Sequence, residues 1–344
     1  MVTKHYDDDR LTRDYELVNS RKYVIKINGE TYSQIISKSI ITYNKTKVYN
    51  LEVEDDHSYN VEGIIAKNCN LSIVPDDSTE GLLNMLGRIS ISSSKAEGIG
   101  LAISNIRSKE SNVGSSDGKA GGILKYLKVI NEALRYWNQR GKRPGSCAVY
   151  IEPWHKDIYD VLDIRKKTGD ETLRARDLFS ALWIPNNFMK AVESNGDWHL
   201  FCPHDVKKAG LKPFYDIYSE EYETEYNKAV ELGIGTKIKA HDLWIKIIES
   251  QIESGMPYMC FKDHANEKSN QKNFGVIHSS NLCSEIMEST DNQTTAICTL
   301  TSIPVQKFVK DGTYDFVELG RVARSITKSL NIAIEINEYS TPEG

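Results

Sequence analysis

Apolar and polar positions alternate along the first 68 residues with the period of a β-strand. Residues 48–53, Val-Tyr-Asn-Leu-Glu-Val, carry apolar side chains at every second position, and residues 23–27, Tyr-Val-Ile-Lys-Ile, are rich in β-branched residues. Both patterns are typical of strands. The pairs at 29–30 (Gly-Glu) and 55–56 (Asp-Asp) predict turns. This segment is therefore predicted to be β-rich and to lack a long helix.

From Cys69 onward the pattern changes to helices that alternate with short buried strands. Apolar residues recur at helical spacing at 79–92, 120–140, 217–232, 241–254 and 314–336. Short apolar runs lie between helices at 100–104, 147–151 and 182–185. This order predicts an α/β fold with parallel strands. Residues 108–122 are rich in Ser, Gly and charge, which predicts a mobile loop.

The composition is that of an ordinary soluble globular protein, and it argues against several classes of function. Of the 344 residues, 40 % are hydrophobic and 26 % are charged, and the formal net charge is −5. The basic surplus of a nucleic-acid interface is missing, so any phosphates would be bound by local Lys, Arg and backbone N–H groups. No apolar run approaches the roughly 18 residues that span a bilayer, and the N-terminus lacks the apolar core of a signal peptide. A cytoplasmic protein that binds neither nucleic acid nor membrane is predicted.

The cysteines are too widely scattered to form a recognisable framework. They are Cys69, Cys147, Cys202, Cys260, Cys283 and Cys298. In a cytoplasmic chain of this size they do not predict structural disulfides. None belongs to a C-x-x-C pair, so no metal site is predicted. We expect Cys147, Cys202 and Cys260 to be inert buried thiols, whereas the other three lie in motifs with chemistry of their own.

The stretch from His57 to Cys69 combines groups that can break a peptide bond. The side-chain amide of Asn68 can attack its own carbonyl, forming a succinimide and releasing the next residue. The Cys69 thiol can carry an acyl group, and His57 can transfer protons. With its preceding strand and its spacing from His57 to Asn68, the stretch resembles the C-terminal end of an intein. The resemblance implies a small all-β (Hint-type) intein segment at residues 1–68, with Cys69 as the first host residue and the branch nucleophile.

Two features depart from the intein pattern. The penultimate residue, usually His, is Lys67, a donor that cannot shuttle protons as an imidazole does. The N-terminal intein half, with its own nucleophile, is absent from the sequence. Residues 1–68 are therefore interpreted as the C-terminal part of a split intein or the remnant of a longer one. Alone they would cleave after Asn68, and they would need an N-terminal intein/extein half as a partner in order to splice.

The motif Asn281-Leu-Cys283-Ser-Glu285 places an amide, a thiol and a carboxylate at alternate positions. In an extended loop, alternate positions share one side. Such a thiol can act as a hydrogen-abstracting radical, the carboxylate can take a proton from a sugar hydroxyl, and the amide can orient that hydroxyl. A buried cysteine in a polar turn is the competing interpretation of the motif alone.

The surroundings of this motif resemble those of class I ribonucleotide reductase large (catalytic, alpha) subunits, in order from Cys69 to Gly344. The resemblance implies an α/β fold that forms the N-terminal portion of a ten-stranded α/β barrel at residues 69–344. It implies reduction of ribonucleoside diphosphates to deoxyribonucleotides. The segments that carry the resemblance are Gly98-Ile-Gly, Lys142-Arg-Pro-Gly, Tyr150-Ile-Glu-Pro-Trp-His155, Arg174-Ala-Arg-Asp-Leu-Phe, Ala181-Leu-Trp-Ile-Pro185, Gly255-Met-Pro-Tyr258 and residues 269–286.

The resemblance also implies the role of each candidate site residue. Cys283 would be the thiyl-radical cysteine that takes hydrogen from C3′ of the ribose. Asn281 and Glu285 would contact the ribose hydroxyls, with Glu285 as the base. Cys69 and Cys298 would be the dithiol that reduces C2′ and becomes a disulfide, which requires Cα atoms within about 7 Å. Gly98 would lie against the substrate, where a side chain would intrude.

An allosteric site is implied in the same way. Asp77 matches the residue that contacts the sugar of an effector deoxynucleotide (dNTP) or ATP. Arg107 matches the start of a flexible loop that closes on the effector phosphates. Lys142 and Arg143 lie in a loop, 139–145, that passes specificity information to the substrate site. Self-association through this effector-site interface is expected.

Several parts of the family pattern are missing. We find no N-terminal nucleotide-binding cone, substrate-phosphate loop, tyrosine pair for radical relay or C-terminal cysteine pair. This chain is expected to bind no cofactor of its own. The resemblance implies a metal-containing small subunit as the radical source and thioredoxin or glutaredoxin as reductant. If the C-terminal half of the large subunit is encoded separately, the chain that carries it is a further expected partner. Catalysis by the fragment alone is not expected.

Two alternatives remain open at this point. In one, the operative role of the chain is trans-splicing or C-terminal cleavage, and the reductase part is a passenger extein; mixing with N-terminal intein halves would reveal it. In the other, the chain is part of a cobalamin-dependent reductase, which needs adenosylcobalamin in place of a small subunit. The Asn-Leu-Cys-Ser-Glu motif favours class I.

Overall fold

The computed structural model describes residues 69–95, 97–114, 118–138, 144–335 and 340. It also describes the main chain of Ile336 and of the short strands that precede residue 69. The chain divides into two compact units. One, the sheet unit, comprises residues 68–298 and 339–344; the other comprises residues 1–67 and 299–338.

The strands before residue 67 are antiparallel, and they agree with the predicted β-rich segment. Strands β1, β2 and β3 form one small sheet, while β4 pairs with β5 and β6 pairs with β7. Their bounds are β1 (Tyr15–Leu17), β2 (Ile25–Ile27), β3 (Glu30–Tyr32), β4 (Ile35–Tyr43), β5 (Thr46–Val53), β6 (Asn60–Val61) and β7 (Ile64–Ile65).

From Lys67 onward helices and strands alternate, as the sequence predicted. They are β8 (Lys67–Ile73), α1 (Thr79–Ser94), β9 (Gly98–Ala102), β10 (Asn112–Val113), β11 (Gly118–Lys119), α2 (Gly122–Tyr136), β12 (Cys147–Ile151), α3 (Ile158–Leu162), β13 (Phe179–Ile184), α4 (Asn186–Glu193), β14 (Asp197–Leu200), α5 (Pro203–Lys208), α6 (Ser219–Glu231), β15 (Thr236–Lys239), α7 (Ala240–Ser254), β16 (Tyr258–Phe261), α8 (Lys262–Lys268), β17 (Ala296–Leu300), β18 (Val309–Lys310), β19 (Thr313–Tyr314) and α9 (Phe316–Ile336). Short 3₁₀ helices span Glu171–Leu173, Phe214–Asp216 and Val305–Phe308.

The central sheet of the sheet unit has the strand order β16-β13-β12-β9-β8-β17. Its β8–β9, β9–β12, β12–β13 and β13–β16 pairs are parallel, which confirms the prediction of a parallel sheet. The result is a mixed α/β fold whose sheet curls into half a barrel. In the β8–β9 register, Cys69 lies opposite Gly98.

Strand β12 shows how the two faces of the sheet differ. All five of its residues are buried, as expected for a strand covered on both faces. Cys147, Val149 and Ile151 pack into the large core beneath the helices. Tyr150 belongs to a smaller cluster on the opposite face with Trp183, Cys260 and Ile277. The period-two alternation of strand side chains thus points Tyr150 to the face on which the candidate site lies.

Local signals fix several helix ends. The Ser78 side chain accepts from the backbone N–H of Gly81 at 3.0 Å and so caps the start of α1. Helix α7 ends at Gly255, whose φ of 75° is left-handed. Within the described part of the chain, no helix is long and apolar enough to span a membrane.

The predicted loop at 108–122 differs from expectation because it contains a small hairpin. Strands β10 and β11 pair through Asn112 with Lys119 and Val113 with Gly118. Two-residue strands are too short to leave a periodic signal in the sequence. The base of the loop is also fixed, because the Asp157 carboxylate accepts from the backbone N–H of Lys109 (3.1 Å) and of Ile123 (2.9 Å).

Candidate active site

Two cysteines that are distant in sequence lie on neighbouring strands. Cys69 is in β8 and Cys298 is in β17, which is next to β8 in the sheet. Burial raises the pKa of the Cys69 thiol, and the nearby side-chain amide of Asn281 opposes this rise. Burial also raises the pKa of Cys298 to about 11, with smaller contributions from Glu288 and Cys69. Both residues are therefore protonated thiols near neutral pH, and each lies within electrostatic reach of the other.

None of the six cysteines, all of which lie in the described part of the chain, forms a disulfide. Cys147 is fully buried, and burial raises its thiol pKa far above the usual value. Cys202 and Cys260 are also buried. Their inaccessibility agrees with the expectation that these three thiols are inert.

A loop crosses over strand β9 at two glycines. This loop, residues 279–289, is called the finger loop below, and it carries Cys283. A Cβ atom added to Gly98 would lie 3.0 Å from Cys69 Sγ and 3.2 Å from the Leu282 side chain. A Cβ atom added to Gly100 would lie 1.9 Å from the carbonyl oxygen of Ser280. The loop can approach the sheet this closely because neither residue has a side chain.

Hydrogen bonds within the finger loop hold its tip in a compact turn. The Asn281 side-chain oxygen accepts from the backbone N–H of Glu285 (3.0 Å) and of Ile286 (3.2 Å). The Ser280 hydroxyl donates to the carbonyl of Ile286 at 2.6 Å. Ser284 adopts a left-handed φ of 67°. The turn leaves Cys283 and Glu285 exposed at its tip, whereas Asn281 is completely buried.

Tyr150 ties the loop to the sheet. Its hydroxyl donates to the carbonyl of Asn281 at 2.6 Å and lies 3.0 Å from the Ser284 hydroxyl. The tyrosine ring is wholly buried and packs edge-on against Trp183. In the sequence, Tyr150 is only one residue of a segment that resembles the reductase family, because no sequence pattern reveals a contact across 131 residues.

The side-chain amide of Asn281 also lies close to the Cys69 thiol. The amide nitrogen Nδ2 of Asn281 is buried, and it has no hydrogen-bond partner among the described residues. The amide nevertheless lies close enough to the Cys69 thiol to lower its pKa. Glu285 and Cys283 act electrostatically on the same thiol. The structure therefore brings together five of the predicted residues, namely Cys69, Asn281, Cys283, Glu285 and Cys298. Gly98 lies beneath them, in contact distance of Cys69 and Leu282.

Behind Cys69, a buried polar network supports strand β8. Asn70 Nδ2 donates to the Ser92 hydroxyl (2.7 Å) and to Glu97 Oε2 (3.0 Å). The Ser340 hydroxyl donates to the same Glu97 oxygen at 2.6 Å, and the Ser92 hydroxyl donates to the Ser340 hydroxyl at 2.9 Å. No sequence pattern predicts this network, since its members are spread over 270 residues and belong to no motif.

Two of the four predicted effector residues, Asp77 and Arg107, form an ion pair with each other. Arg107 Nε lies 2.5 Å from Asp77 Oδ2, and Arg107 Nη2 lies 3.1 Å from Asp77 Oδ1. This bidentate contact raises the pKa of Arg107. Arg107 also donates to the carbonyl of Asn112 in the hairpin, at 2.9 Å. Lys142 and Arg143 lie outside the described residues.

The predicted intein junction is described only in part. His57 lies outside the described residues. Lys67 and Asn68 belong to strand β8, where only their main chain is described. The proposed roles of these three residues therefore remain predictions.

Comparison with known proteins gives a consistent result. The sequence model of the family "Ribonucleotide reductase, barrel domain" matches residues 67–344. The large subunit of zebrafish (Danio rerio) ribonucleoside-diphosphate reductase is 40 % identical over 343 residues, covering 94 % of this chain and 43 % of the relative. The large chain of the Neurospora crassa enzyme is 45 % identical over 280 residues, covering 80 % of this chain and 30 % of the relative. The Variola virus large subunit is 45 % identical over 278 residues, covering 80 % of this chain and 35 % of the relative. The chain thus spans less than half the length of these relatives.

Proposed function

Since the chain belongs to the ribonucleotide reductase barrel-domain family, we propose that residues 69–344 are part of the catalytic subunit of a class I ribonucleoside-diphosphate reductase. The observation that carries this proposal is the convergence of Cys69 and Cys298 with the finger loop that bears Cys283. The rest of a ten-stranded barrel would complete the enzyme, because the relatives are more than twice as long as this chain.

The arrangement suits a division of labour between three thiols. Cys283, exposed at the tip of the finger loop, would take the hydrogen atom from C3′ of the ribose as a thiyl radical. Glu285 would accept the proton of a ribose hydroxyl, and the Asn281 amide, whose Nδ2 has donors to spare, would orient that hydroxyl. Cys69 and Cys298 would then supply two electrons and two protons, so that the C2′ hydroxyl leaves as water and a disulfide forms.

The burial of the dithiol supports this role. Thiols with raised pKa values stay protonated near neutral pH, and they therefore deliver hydrogen together with electrons. Neighbouring strands lie about 4.8 Å apart, which falls within the Cα separation that a disulfide tolerates. Reduction of that disulfide by thioredoxin or glutaredoxin would close the cycle, and a metal-containing small subunit would supply the radical.

We further propose that effector deoxynucleotides or ATP bind at Asp77 and Arg107. The ion pair between them would open so that the guanidinium meets phosphate oxygens and the carboxylate meets a sugar hydroxyl. Helices α1 and α2 pack together and expose the apolar side chains of Leu83, Ile91 and Val129, which self-association could cover.

The dithiol can be tested in the chain as it stands. Mild oxidation followed by peptide mapping without reductant should link Cys69 to Cys298 and leave Cys147 and Cys202 reduced. A Cys298→Ser variant should lose the link, while Cys260→Ser, the matched control on the same face, should keep it. A folded chain in which Cys69 joins no cysteine, or joins Cys283 in preference to Cys298, would contradict the proposal.

We propose separately that residues 1–68 are the C-terminal segment of an intein, released by cleavage at Asn68 before Cys69. Supporting this, the family match starts at residue 67, next to the proposed junction. By contrast, the similarity to the zebrafish large subunit covers 94 % of the chain and so extends into the segment before residue 67. If trans-splicing were the operative role of the chain, mixing it with N-terminal intein halves would yield a ligated product starting from their extein.

A further inference from the structure

Four consecutive residues, 106–109, each bind a side chain from a distant part of the chain through their main chain. They lead into the hairpin of β10 and β11, and none of them belongs to a helix or a strand. The four contacts are the Ile106 carbonyl with His155 Nε2 (2.7 Å), the Arg107 N–H with Asp77 Oδ2 (3.3 Å), the Ser108 N–H with Cys202 Sγ (3.4 Å) and the Lys109 N–H with Asp157 Oδ1 (3.1 Å). Side chains thus replace the hydrogen-bond ladder of a regular element here.

Burial makes these contacts necessary. Ile106 and Ser108 are buried, and so are their neighbours His155, Cys202 and Asp157. A buried main-chain group without a hydrogen-bond partner costs stability, because it gives up its bonds to water and gains none in return. The side chains that bind residues 106–109 therefore determine the path of the main chain there.

His155 joins two of these contacts. Its Nδ1 accepts from the backbone N–H of Asp157 at 3.0 Å, so this nitrogen carries no hydrogen. The ring hydrogen is then on Nε2, which donates it to the carbonyl of Ile106. Burial lowers the pKa of His155, although the neighbouring carboxylate of Asp157 opposes this shift, and a lowered pKa favours the neutral ring that these two bonds require.

Asp157 holds both ends of the segment that carries the hairpin. Its Oδ2 also accepts from the backbone N–H of Ile123 at 2.9 Å, near the start of α2. The two ends come together at Gly122, where an added Cβ atom would lie 2.7 Å from Lys109 Cβ and 2.8 Å from Asp157 Oδ2. The main chain therefore departs toward the hairpin and returns from it at a single carboxylate.

Arg107 lies inside this arrangement and depends on it at two points. Its main chain is placed between Ile106 and Ser108, both of which are bound by buried side chains. Its guanidinium contacts Asp77 and also donates to the carbonyl of Asn112 in β10, at 2.9 Å. Release of the anchored ends would let both the backbone of Arg107 and its partner in β10 move.

We propose that His155 and Asp157 are positioning residues, which fasten the main chain at 106–109 to that at Ile123 and so hold Arg107 beside Asp77 before any nucleotide binds. An effector would then meet a preformed site and spend less of its binding free energy on ordering the chain. The binding of an effector rests on the proposed function. The anchoring does not, because it follows from hydrogen bonds that involve no ligand.

Two substitutions of His155 separate its hydrogen bond to Ile106 from the packing of the ring. The side-chain amide nitrogen of glutamine reaches about as far from the main chain as Nε2 and can donate to this carbonyl. The asparagine amide is shorter and reaches only the position of Nδ1. His155→Gln should therefore keep the anchor at Ile106, and His155→Asn should lose it.

Asp157→Asn releases one end of the segment with the smallest possible change of shape. The new amide has one oxygen and one NH₂ group, so it can accept from Lys109 or from Ile123 but not from both. Asp160→Asn, three residues further on in α3, is the matched control. Because Asp157→Asn preserves the volume of the side chain, it decides the proposal even where His155→Asn yields no folded protein.

Hydrogen exchange of the full chain at one pH, read by mass spectrometry on the peptide 105–113, measures the anchoring. We expect about tenfold faster exchange in His155→Asn and Asp157→Asn than in the wild type, since a buried main-chain group loses its partner. His155→Gln and Asp160→Asn should stay within about threefold of the wild type. Wild-type exchange in Asp157→Asn, or an equal acceleration in the peptide 241–254 of α7, would overturn the proposal.

Limited trypsin digestion tests whether the anchors hold Arg107 itself. Trypsin cleaves after arginine only where the main chain opens, and the rate follows the population of the open form. Cleavage after Arg107 should be about tenfold faster in Asp157→Asn than in Asp160→Asn, in step with hydrogen exchange. Cleavage after Lys246 in α7 should be equal in the two variants. Equal cleavage after Arg107 would show that the anchors do not position this residue.

The same digestion with added ATP or dTTP tests the effector role separately. A nucleotide that binds Arg107 in the anchored form must slow cleavage after Arg107, because it stabilises that form by mass action. Wild-type cleavage that neither nucleotide slows would contradict the proposed effector site. Such a result would leave the anchoring supported, provided that Asp157→Asn accelerates exchange and cleavage without nucleotide.

Discussion

Strand β9 and the finger loop are in such close contact that an added methyl group should destabilise the protein more at Gly100 than at Gly98. At Gly100, a Cβ atom would sit 1.9 Å from the carbonyl oxygen of Ser280, where real Cβ contacts are essentially never under 3.0 Å. In Gly100→Ala the loop must therefore retreat by at least about 1.1 Å (3.0 − 1.9). The loop has to move as a whole, because the added Cβ atom and the Ser280 carbonyl oxygen are both fixed to the main chain and cannot rotate away from each other. A shift of that size strains the 2.6 Å hydrogen bond from the Tyr150 hydroxyl to the carbonyl of the next residue, Asn281.

The expected cost can be bounded from general values. Overpacking in a core typically costs about 1–3 kcal/mol, and replacing glycine by alanine restores up to about 1 kcal/mol through the unfolded state. For a unit of this size about 1 kcal/mol lowers Tm by roughly 2–4 °C. Gly100→Ala should therefore lower Tm by several degrees and speed the alkylation of Cys69, since the covering loop has moved.

Gly98→Ala is the matched control, one step along the same strand face. There the added atom meets Cys69 Sγ at 3.0 Å and Leu282 Cβ and Cδ2 at 3.2 Å, so it contacts side-chain atoms and no main-chain atom. These can shift by a few tenths of an ångström, so the change in Tm should be within about 2 °C. Thermal unfolding and iodoacetamide mapping of both variants measure the contrast. Equal stability and equal Cys69 reactivity in Gly100→Ala and the wild type would refute the packing of the loop on β9.

Three further predictions concern the thiols and the junction. In an enzyme completed with the rest of the barrel and a small subunit, Cys283→Ser should abolish turnover with little effect on substrate binding, because a serine O–H bond is too strong for the radical relay to oxidise. In the same enzyme, Glu285→Gln should lower kcat far more than it raises KM, since the amide keeps the shape of the side chain but cannot act as a base. Cys298 alkylation should still accelerate between pH 9 and 11, because its pKa is about 11, whereas the rate of an ordinary thiol levels off near pH 9; a plateau at pH 9 would contradict the burial of Cys298. Asn68→Ala should block release of residues 1–68, and Lys67→His should speed it or leave it unchanged; gel and mass analysis would detect a fragment starting at Cys69, whose appearance in Asn68→Ala would end the intein interpretation.

The sequence was sufficient for those parts of the fold whose signal is periodic. Strand β12 was predicted at its observed bounds, because all five of its residues are apolar and flanked by polar segments. Helix α7 was predicted to within one residue, since its apolar stripe ends at a glycine. The hairpin of β10 and β11 was missed because each strand has only two residues, both exposed.

Contacts between distant segments were harder to foresee. The pairing of β8 with β17 has no local signature, and Cys69 and Cys298 were matched through the family resemblance alone. The Asn70–Glu97 bond was not predicted, since a buried polar pair looks in sequence like two surface residues. Nor were the contacts of His278 with Thr290 and Asp216 predicted, because they join segments that are 12 and 62 residues away in the sequence.

The geometry of the finger loop bears on how three thiols can share one site. If Cys283 were on a freely moving loop, it would compete with Cys298 for Cys69 whenever the dithiol is oxidised, and the proposed radical thiol would be lost to a disulfide. Restraints at three levels oppose this. The tip is fixed by the Asn281 side chain, the middle by Tyr150, and the base by His278. Cys69 and Cys298, by contrast, lie on paired strands of the sheet, so their approach needs no movement of the loop. In the proposed reaction the loop would therefore present Cys283 to the substrate, while Cys69 and Cys298 on the sheet would supply the two electrons. Each restraint removed should make a Cys69–Cys283 disulfide easier to form.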